Sequence, residues 1–260
     1  MLGSSPHEGS DGPEDRSILE AEHPTPTESL SYGPEPEQVA DIFRPTDSPA
    51  PSGLVLFIHG GYWRPPVDRQ HARSLARALA DEGYLTCSIE YRRVPGEPDL
   101  MIADIRRALE TLPATIGLGE ATPTLMGHSA GGHLALIAAT RHPGLVAGVV
   151  ALAPVTDLRA AEALNLGSGA VAAFLGGPAT ARPDLDPVRC PAPAMSVTVI
   201  HGARDSIVPI AQAHSLAEAW PGTAQVVVVD DSAHFELIDP RSAAWAVVVG
   251  EVHAQRASVG

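Results

Sequence analysis

Short apolar runs alternate with helical stretches along almost the whole of this chain, and that rhythm constrains its fold more than any other feature. The runs are Val39–Phe43, Leu54–Ile58, Leu85–Ile89, Thr124–Gly127, Gly148–Ala153, Ser196–Ile200 and Gln225–Val229. Leu54–Ile58 (LVLFI) is apolar at every position, the pattern of a strand buried on both faces. Between the runs, Ser74–Asp81, Asp99–Leu112, Ala130–Thr140, Ile210–Trp220 and Arg241–Glu251 read as helices, with Gly83 and Pro113 placed as stops. Strands that alternate with helices predict an α/β fold, a mostly parallel sheet flanked by helices on both faces. Residues 157–190 break the rhythm, and their length predicts a small helical insertion or lid.

A chain of 260 residues suits one such domain and is short for two. Residues 1–28 are rich in Ser, Gly, Pro, Glu and Asp, and are expected to be a disordered acidic tail before a single domain over 29–260. The net charge of −14 argues against nucleic acid and against an anionic membrane surface as partners. No uninterrupted apolar run approaches the ~20 residues of a membrane span. The first residues carry neither a basic nor an apolar targeting segment, so a cytoplasmic protein is expected. Cys87 and Cys190 lack a CxxC or metal-type partner and are expected as reduced thiols.

In sheets of this kind ligands bind at the carboxyl ends of the strands. After the run at Thr124 comes Gly127-His128-Ser129-Ala130-Gly131, a G-x-S-x-G between strand and helix. That context places Ser129 on a sharp turn with its hydroxyl exposed as a nucleophile. A serine needs a base, and His234 stands on the loop after Gln225–Val229. The carboxylate that orients the base is expected after the preceding strand, where Asp205 stands; Asp157, Asp230 and Asp231 are its competitors. His59, His128, His133, His142 and His201 fit the role of base less well by position. The loop His59-Gly60-Gly61-Tyr62-Trp63 follows the Leu54 run. The N–H groups of Gly61 and Tyr62, with that of Ala130, are the expected oxyanion hole, and Gly60, which makes the turn, is expected with Trp63 to contact substrate. No metal-ligand spacing and no nucleotide-binding glycine motif is found, so neither metal nor cofactor is expected, and a small molecule is the expected partner. A homodimer is left open.

These residues resemble the kynurenine formamidase (arylformamidase) branch of the α/β hydrolases, within the HGGxW part of the esterase and lipase group. The resemblance rests on Tyr32-Gly33-Pro34, Ala40-Asp41-Ile42-Phe43-Arg44-Pro45, His59-Gly60-Gly61-Tyr62-Trp63-Arg64, Glu90-Tyr91-Arg92, Gly127-His128-Ser129-Ala130-Gly131-Gly132-His133, Asp205 and His234. It covers about residues 31–240 and implies the α/β-hydrolase fold. It also implies hydrolysis of N-formyl-L-kynurenine to L-kynurenine and formate through a formyl-serine. Tyr62 and Trp63 would flank an aromatic leaving group, unless Trp63 only packs the loop, and Arg64 or Arg92 would meet a substrate carboxylate. Two other readings stand beside this one: a carboxylesterase for short acyl esters with the same triad, and a non-catalytic binding protein that keeps the fold.

Overall fold

A computed structural model describes residues 14–46 and 50–257. The elements run α1 (Ser17–Glu20), β1 (Glu28–Ser31), β2 (Val39–Phe43), β3 (Leu54–Ile58), α2 (Arg73–Asp81), β4 (Leu85–Ile89), α3 (Pro98–Thr115), β5 (Thr124–His128), α4 (Ala130–Arg141) and β6 (Gly148–Leu152). They continue with α5 (Leu158–Ala163), α6 (Ala170–Leu175), β7 (Val197–Gly202), α7 (Ala211–Ala219), β8 (Ala224–Val229) and α8 (Trp245–Ala257).

The eight strands form one sheet in the order β1-β2-β4-β3-β5-β6-β7-β8. β2 pairs antiparallel with both β1 and β4, and the pairings from β4 through β3, β5, β6 and β7 to β8 are all parallel. This is the mostly parallel α/β sheet that the alternation predicts, in the α/β-hydrolase arrangement that the resemblance implies. β3, β4, β5 and β6 are buried along their whole length, which is why their sequences carry so little alternation. One face packs Leu56, Ile58, Leu134 and Leu136 with α3 residues such as Met101 and Ile105. The other packs Val55, Phe57, Met126 and Val150 against Leu75, Leu79, Val248 and Val252. α2 and α8 therefore cover one side, and α3 and α4 the other.

Sheet order and register bring distant loops together. β3 and β5 are neighbours with Ile58 opposite Gly127, so the loop after β3 meets the turn after β5. β7 and β8 are neighbours with Gly202 opposite Val229, so the loops that carry Asp205 and His234 meet as well. The expected helical insertion over 157–190 is present as α5, α6 and a series of single 3-10 turns between Ala179 and Arg189.

Three details depart from the sequence reading. α3 runs through Pro113 to Thr115. A proline in the last turn forgoes only one backbone bond, and the hydroxyl of Thr115 donates to the carbonyl of Thr111 at 2.8 Å. The last helix starts at Trp245 and not at Arg241, because Arg241 is drawn into bonds with Asp239. The expected disordered tail does not hold over residues 14–28. Ile18 is buried against Leu75 and Leu79, Ser17 to Glu20 form α1, and Glu28 begins β1. Two large apolar residues, Ile18 and Leu19, in a mostly polar stretch suffice to dock it because the body offers a matching apolar surface. Residues 1–13 lie outside the described part of the chain.

Candidate active site

Ser129 occupies the turn between β5 and α4 with φ 56° and ψ −119°, a conformation that costs a non-glycine residue about 1–3 kcal/mol. Its surroundings hold it there. The Ser129 N–H donates to the carbonyl of Leu152 at 2.8 Å, and its own carbonyl accepts from His133 at 3.0 Å. The flanking glycines are steric necessities. A Cβ on Gly131 would lie 2.1 Å from the carbonyl oxygen of Ile58, and one on Gly127 would lie 2.3 Å from the carbonyl oxygen of Gly131. Ser129 is 3 % exposed and borders a cavity of about 190 Å³.

His234 borders the same cavity. Its Nδ1 lies 2.7 Å from Oδ2 of Asp205, whose side chain is fully buried. The other oxygen of that carboxylate accepts the N–H groups of Ile207 at 2.9 Å and Val208 at 2.8 Å. The carboxylate is thereby fixed from both sides, and Nε2 is the ring nitrogen left to act as a base. His201 also approaches Asp205, at 3.4 Å, but its Nε2 donates to the carbonyl of Val208 at 2.8 Å and its ring is buried away from the cavity. Burial lowers its pKa, so it stays neutral. The two loops are pinned together: Ala203 N–H donates to the Val229 carbonyl, and Arg204 N–H to that of Ser232. Asp157 caps α5 through the Ala160 N–H, and Asp231 is exposed and faces Arg204, so neither competes with Asp205.

The Gly-Gly loop passes directly over the serine. A Cβ on Gly60 would come within 3.1 Å of the Ser129 Cβ. Gly61, Tyr62 and Trp63 all have positive φ, at 107°, 54° and 56°, which coils the backbone above the cavity. Ala130 opens α4, so its N–H is among those without a partner inside the helix. His59 anchors the loop from beneath. Burial, then the Arg93 guanidinium, pushes its pKa down to about 3, and the neutral ring donates from Nδ1 to the Gly60 carbonyl. Glu90 completes the anchor, accepting from Arg93 and from the Arg69 N–H.

Trp63 corrects one expectation. It does not face a substrate: it is buried, stacked on Phe174 at 4.5 Å and edge-on to His133 at 5.2 Å. Gly60, also expected to contact substrate, is buried behind Gly61. Tyr62 does border the cavity. Arg92 is held by Asp104 through paired bonds, and so is not free to meet a ligand. Arg64 borders the cavity and donates to the carbonyls of Gly167 and Ser168.

Sequence reasoning missed several residues at this site. His128 is buried, with its ring 4.4 Å from that of His234, and its Nε2 donates to the His234 carbonyl at 3.1 Å. Burial and then the neighbouring His234 hold its pKa well below the usual value, so it serves as a neutral brace for the loop that carries His234. Its place beside the serine was the available signal. Glu14, Arg16 and Leu19 left no such signal, because they lie in the stretch expected to be disordered. Leu19 and Arg16 border the cavity, and Glu14 accepts the His234 N–H at 3.0 Å. Among the described residues, no group of three His, Cys, Asp or Glu side chains could hold a metal ion, and no helix is long and apolar enough to cross a membrane.

Comparison with known proteins agrees with this layout. The BD-FAE family model matches residues 40–220. Esterase LipC of Mycobacterium tuberculosis is 26% identical over 87% of this chain and 65% of its own length. The kynurenine formamidase of Danio rerio is 31% identical over 41% of this chain and 36% of its own. A probable isoprenylcysteine α-carbonyl methylesterase of Oryza sativa is 34% identical over 42% of this chain and 27% of its own. The chain thus spans less than two-thirds of the length of these relatives. Among solved structures, a putative thioesterase from Silicibacter superimposes with a TM-score of 0.68 at 28% identity, covering 85% of this chain and 84% of that one. A carbohydrate esterase from gut microbiota reaches a TM-score of 0.75 at 19% identity, covering 90% and 98%.

Proposed function

The chain belongs to the BD-FAE family, and on that premise we propose that it is a serine hydrolase that removes a formyl group from an aryl formamide, with N-formyl-L-kynurenine as substrate. The observation that carries the hydrolase reading is the His234–Asp205 bond of 2.7 Å beside a cavity shared by Ser129, His234 and Gly61. The small cavity with Tyr62 and Phe235 in its wall supports a small acyl group and an aromatic leaving group. Relatives named kynurenine formamidase support the formamide.

In this mechanism Nε2 of His234 takes the proton of Ser129 as Oγ attacks the formyl carbon. The oxyanion is held by the N–H groups of Gly61, Tyr62 and Ala130, each such donor being worth roughly 10²–10³ in rate. The C–N bond then breaks, and His234 returns its proton to the departing aryl amine. Water attacks the formyl-serine ester, passing a proton to His234. The Ser129 oxygen leaves, recovers that proton, and formate is released. Asp205 fixes the imidazole tautomer throughout.

The test is kcat/KM on N-formyl-L-kynurenine against short p-nitrophenyl esters, with Ser129→Ala as control. The formamide is expected to be preferred, and Ser129→Ala to lose at least about a thousandfold in kcat. Near-wild-type turnover in that variant overturns the hydrolase assignment. Preference for the esters instead supports a short-chain carboxylesterase, the reading favoured by the match to Esterase LipC over most of this chain. Two cysteines without a disulfide support a cytoplasmic setting.

A further inference from the structure

The segment before β1 is built into the catalytic cavity. Glu14 accepts the N–H of His234 at 3.0 Å and the N–H and hydroxyl of Ser206 at 2.8 and 3.0 Å, joining the two loops that carry the base and its carboxylate. Ile18 anchors the segment in the core. Between these two fixings lies Arg16, whose guanidinium sits over the Phe235 ring, 5.5 Å from its centre. Arg16 and Leu19 border the cavity together with Ser129 and His234.

Two cationic groups therefore reach this cavity, Arg16 from the segment and Arg64 from the Gly-Gly loop. Among the described residues neither forms an ion pair, whereas Arg69, Arg73, Arg92 and Arg93 nearby all meet carboxylates. Arg64 is engaged by main-chain carbonyls and lies over Tyr62, so its positive charge is uncompensated. In a chain of net charge −14, two unpaired cations beside one small cavity stand out against their surroundings. The acid that protonates a departing group must lie beside it. The Phe235 ring lies 5.1 Å from that of His234, so the guanidinium above Phe235 sits close to the group that would protonate a leaving group.

We propose that Arg16 is a specificity-determining residue, aided by Arg64, that receives a carboxylate on the leaving group of the substrate. The inference rests on the hydrolase reading and deepens it. It makes the N-terminal segment a wall of the active site and its arginine the feature that selects anionic substrates.

The test compares two acetate esters that differ only by a carboxylate, phenyl acetate and 3-acetoxybenzoate, in the full chain. The readout is the ratio of their kcat/KM values. Because Arg16 is exposed, the effect on the ratio is modest: Arg16→Gln lowers the preference for 3-acetoxybenzoate by about fivefold. Arg16→Glu lowers it further, since it replaces attraction with repulsion. Arg106→Gln, which loses only an exposed pair with Glu110 on α3, leaves the ratio unchanged. An equal loss on both esters in the Arg16 variants assigns the residue to packing alone and overturns the proposal. So does a ratio in Arg16→Glu within twofold of the wild type. Labelling by a fluorophosphonate separates the two levels. A chain whose Ser129 is not labelled refutes the hydrolase reading itself. A labelled chain whose ester ratio ignores Arg16, or that turns over only the neutral ester, refutes the anion site alone.

Discussion

Replacing Asp205 by asparagine should disable the enzyme through a proton placed on the wrong nitrogen, and the hydrogen bonds around it show why. One carboxylate oxygen accepts two main-chain N–H groups, from Ile207 and Val208. An asparagine must set its carbonyl oxygen there, because an NH₂ group would face two donors. Its NH₂ then points at Nδ1 of His234, where Asp205 Oδ2 now lies at 2.7 Å. Nδ1 can only accept from that group, so the ring proton moves to Nε2. A ring protonated at Nε2 cannot take the proton of Ser129. The expected loss in kcat is roughly 10⁴-fold, as for the same exchange in a Ser-His-Asp protease, or about 5.4 kcal/mol of transition-state stabilisation. The assay is steady-state hydrolysis of p-nitrophenyl acetate at pH 7.5, with circular dichroism to confirm folding. Asp231→Asn, on an exposed side chain, should change kcat less than twofold. A folded Asp205→Asn enzyme within tenfold of wild type refutes the tautomer argument. A comparable loss in Asp231→Asn would move the role to that residue.

Trp63→Ala should cost about 3–5 kcal/mol of stability, because the indole is 2 % exposed and stacked on Phe174. Urea denaturation measures it, and a loss below about 1 kcal/mol contradicts the packing role. Acid should also destabilise the fold well before its carboxylates are neutralised. Burial pushes His59 and His71 down to about 3 and His133 to about 4. In the unfolded chain each takes a proton near 6.5. The unfolded state therefore binds more protons below that pH, and stability present above pH 6.5 is lost as pH falls toward the folded values. The slope approaches about 1.4 kcal/mol per pH unit for each histidine. Denaturation at pH 7.5, 6 and 5 should show the loss, and equal stability at 7.5 and 5 contradicts it.

The grouping of Ser129, Asp205 and His234 at one end of the sheet was legible because each sits on the loop after a strand whose apolar run is plain in the sequence. Ser129 follows Thr124–His128, Asp205 follows Val197–Gly202, and His234 follows Ala224–Val229. Once those runs are taken as parallel neighbours, the topology does the rest, since register alone brings Gly202 opposite Val229. The braces were less legible. His128 supports His234 across 106 positions of sequence, and no local pattern encodes that pairing. The N-terminal wall was read wrongly because composition averages over a window. Residues 14–20 are mostly polar, yet Ile18 fills a place in the core and Glu14 fills one beside His234. Such a segment is ordered by the surface it meets, and that surface is assembled from α2, the loop after β8 and the Gly-Gly loop.

Trp63 shows the same logic at the level of one side chain, and it has a consequence for rate. The positive φ of Gly61, Tyr62 and Trp63 is natural only for the glycine, so the two aromatic residues are held there at a cost of about 1–3 kcal/mol each. What holds them is the insertion. Tyr62 packs so tightly on Gly167 that a Cβ there would lie 2.5 Å from its ring, Trp63 stacks on Phe174, and Arg64 donates to the carbonyls of Gly167 and Ser168. Three consecutive residues of the loop thus grip residues 167–174. His133, in the helix behind Ser129, donates to the carbonyl of Leu185 at 2.8 Å and ties down the far end. An insertion that fixes the backbone of this loop also fixes where its N–H groups point. On the proposed function, a change in the insertion is therefore expected to alter oxyanion stabilisation as well as pocket shape, because the same contacts set both.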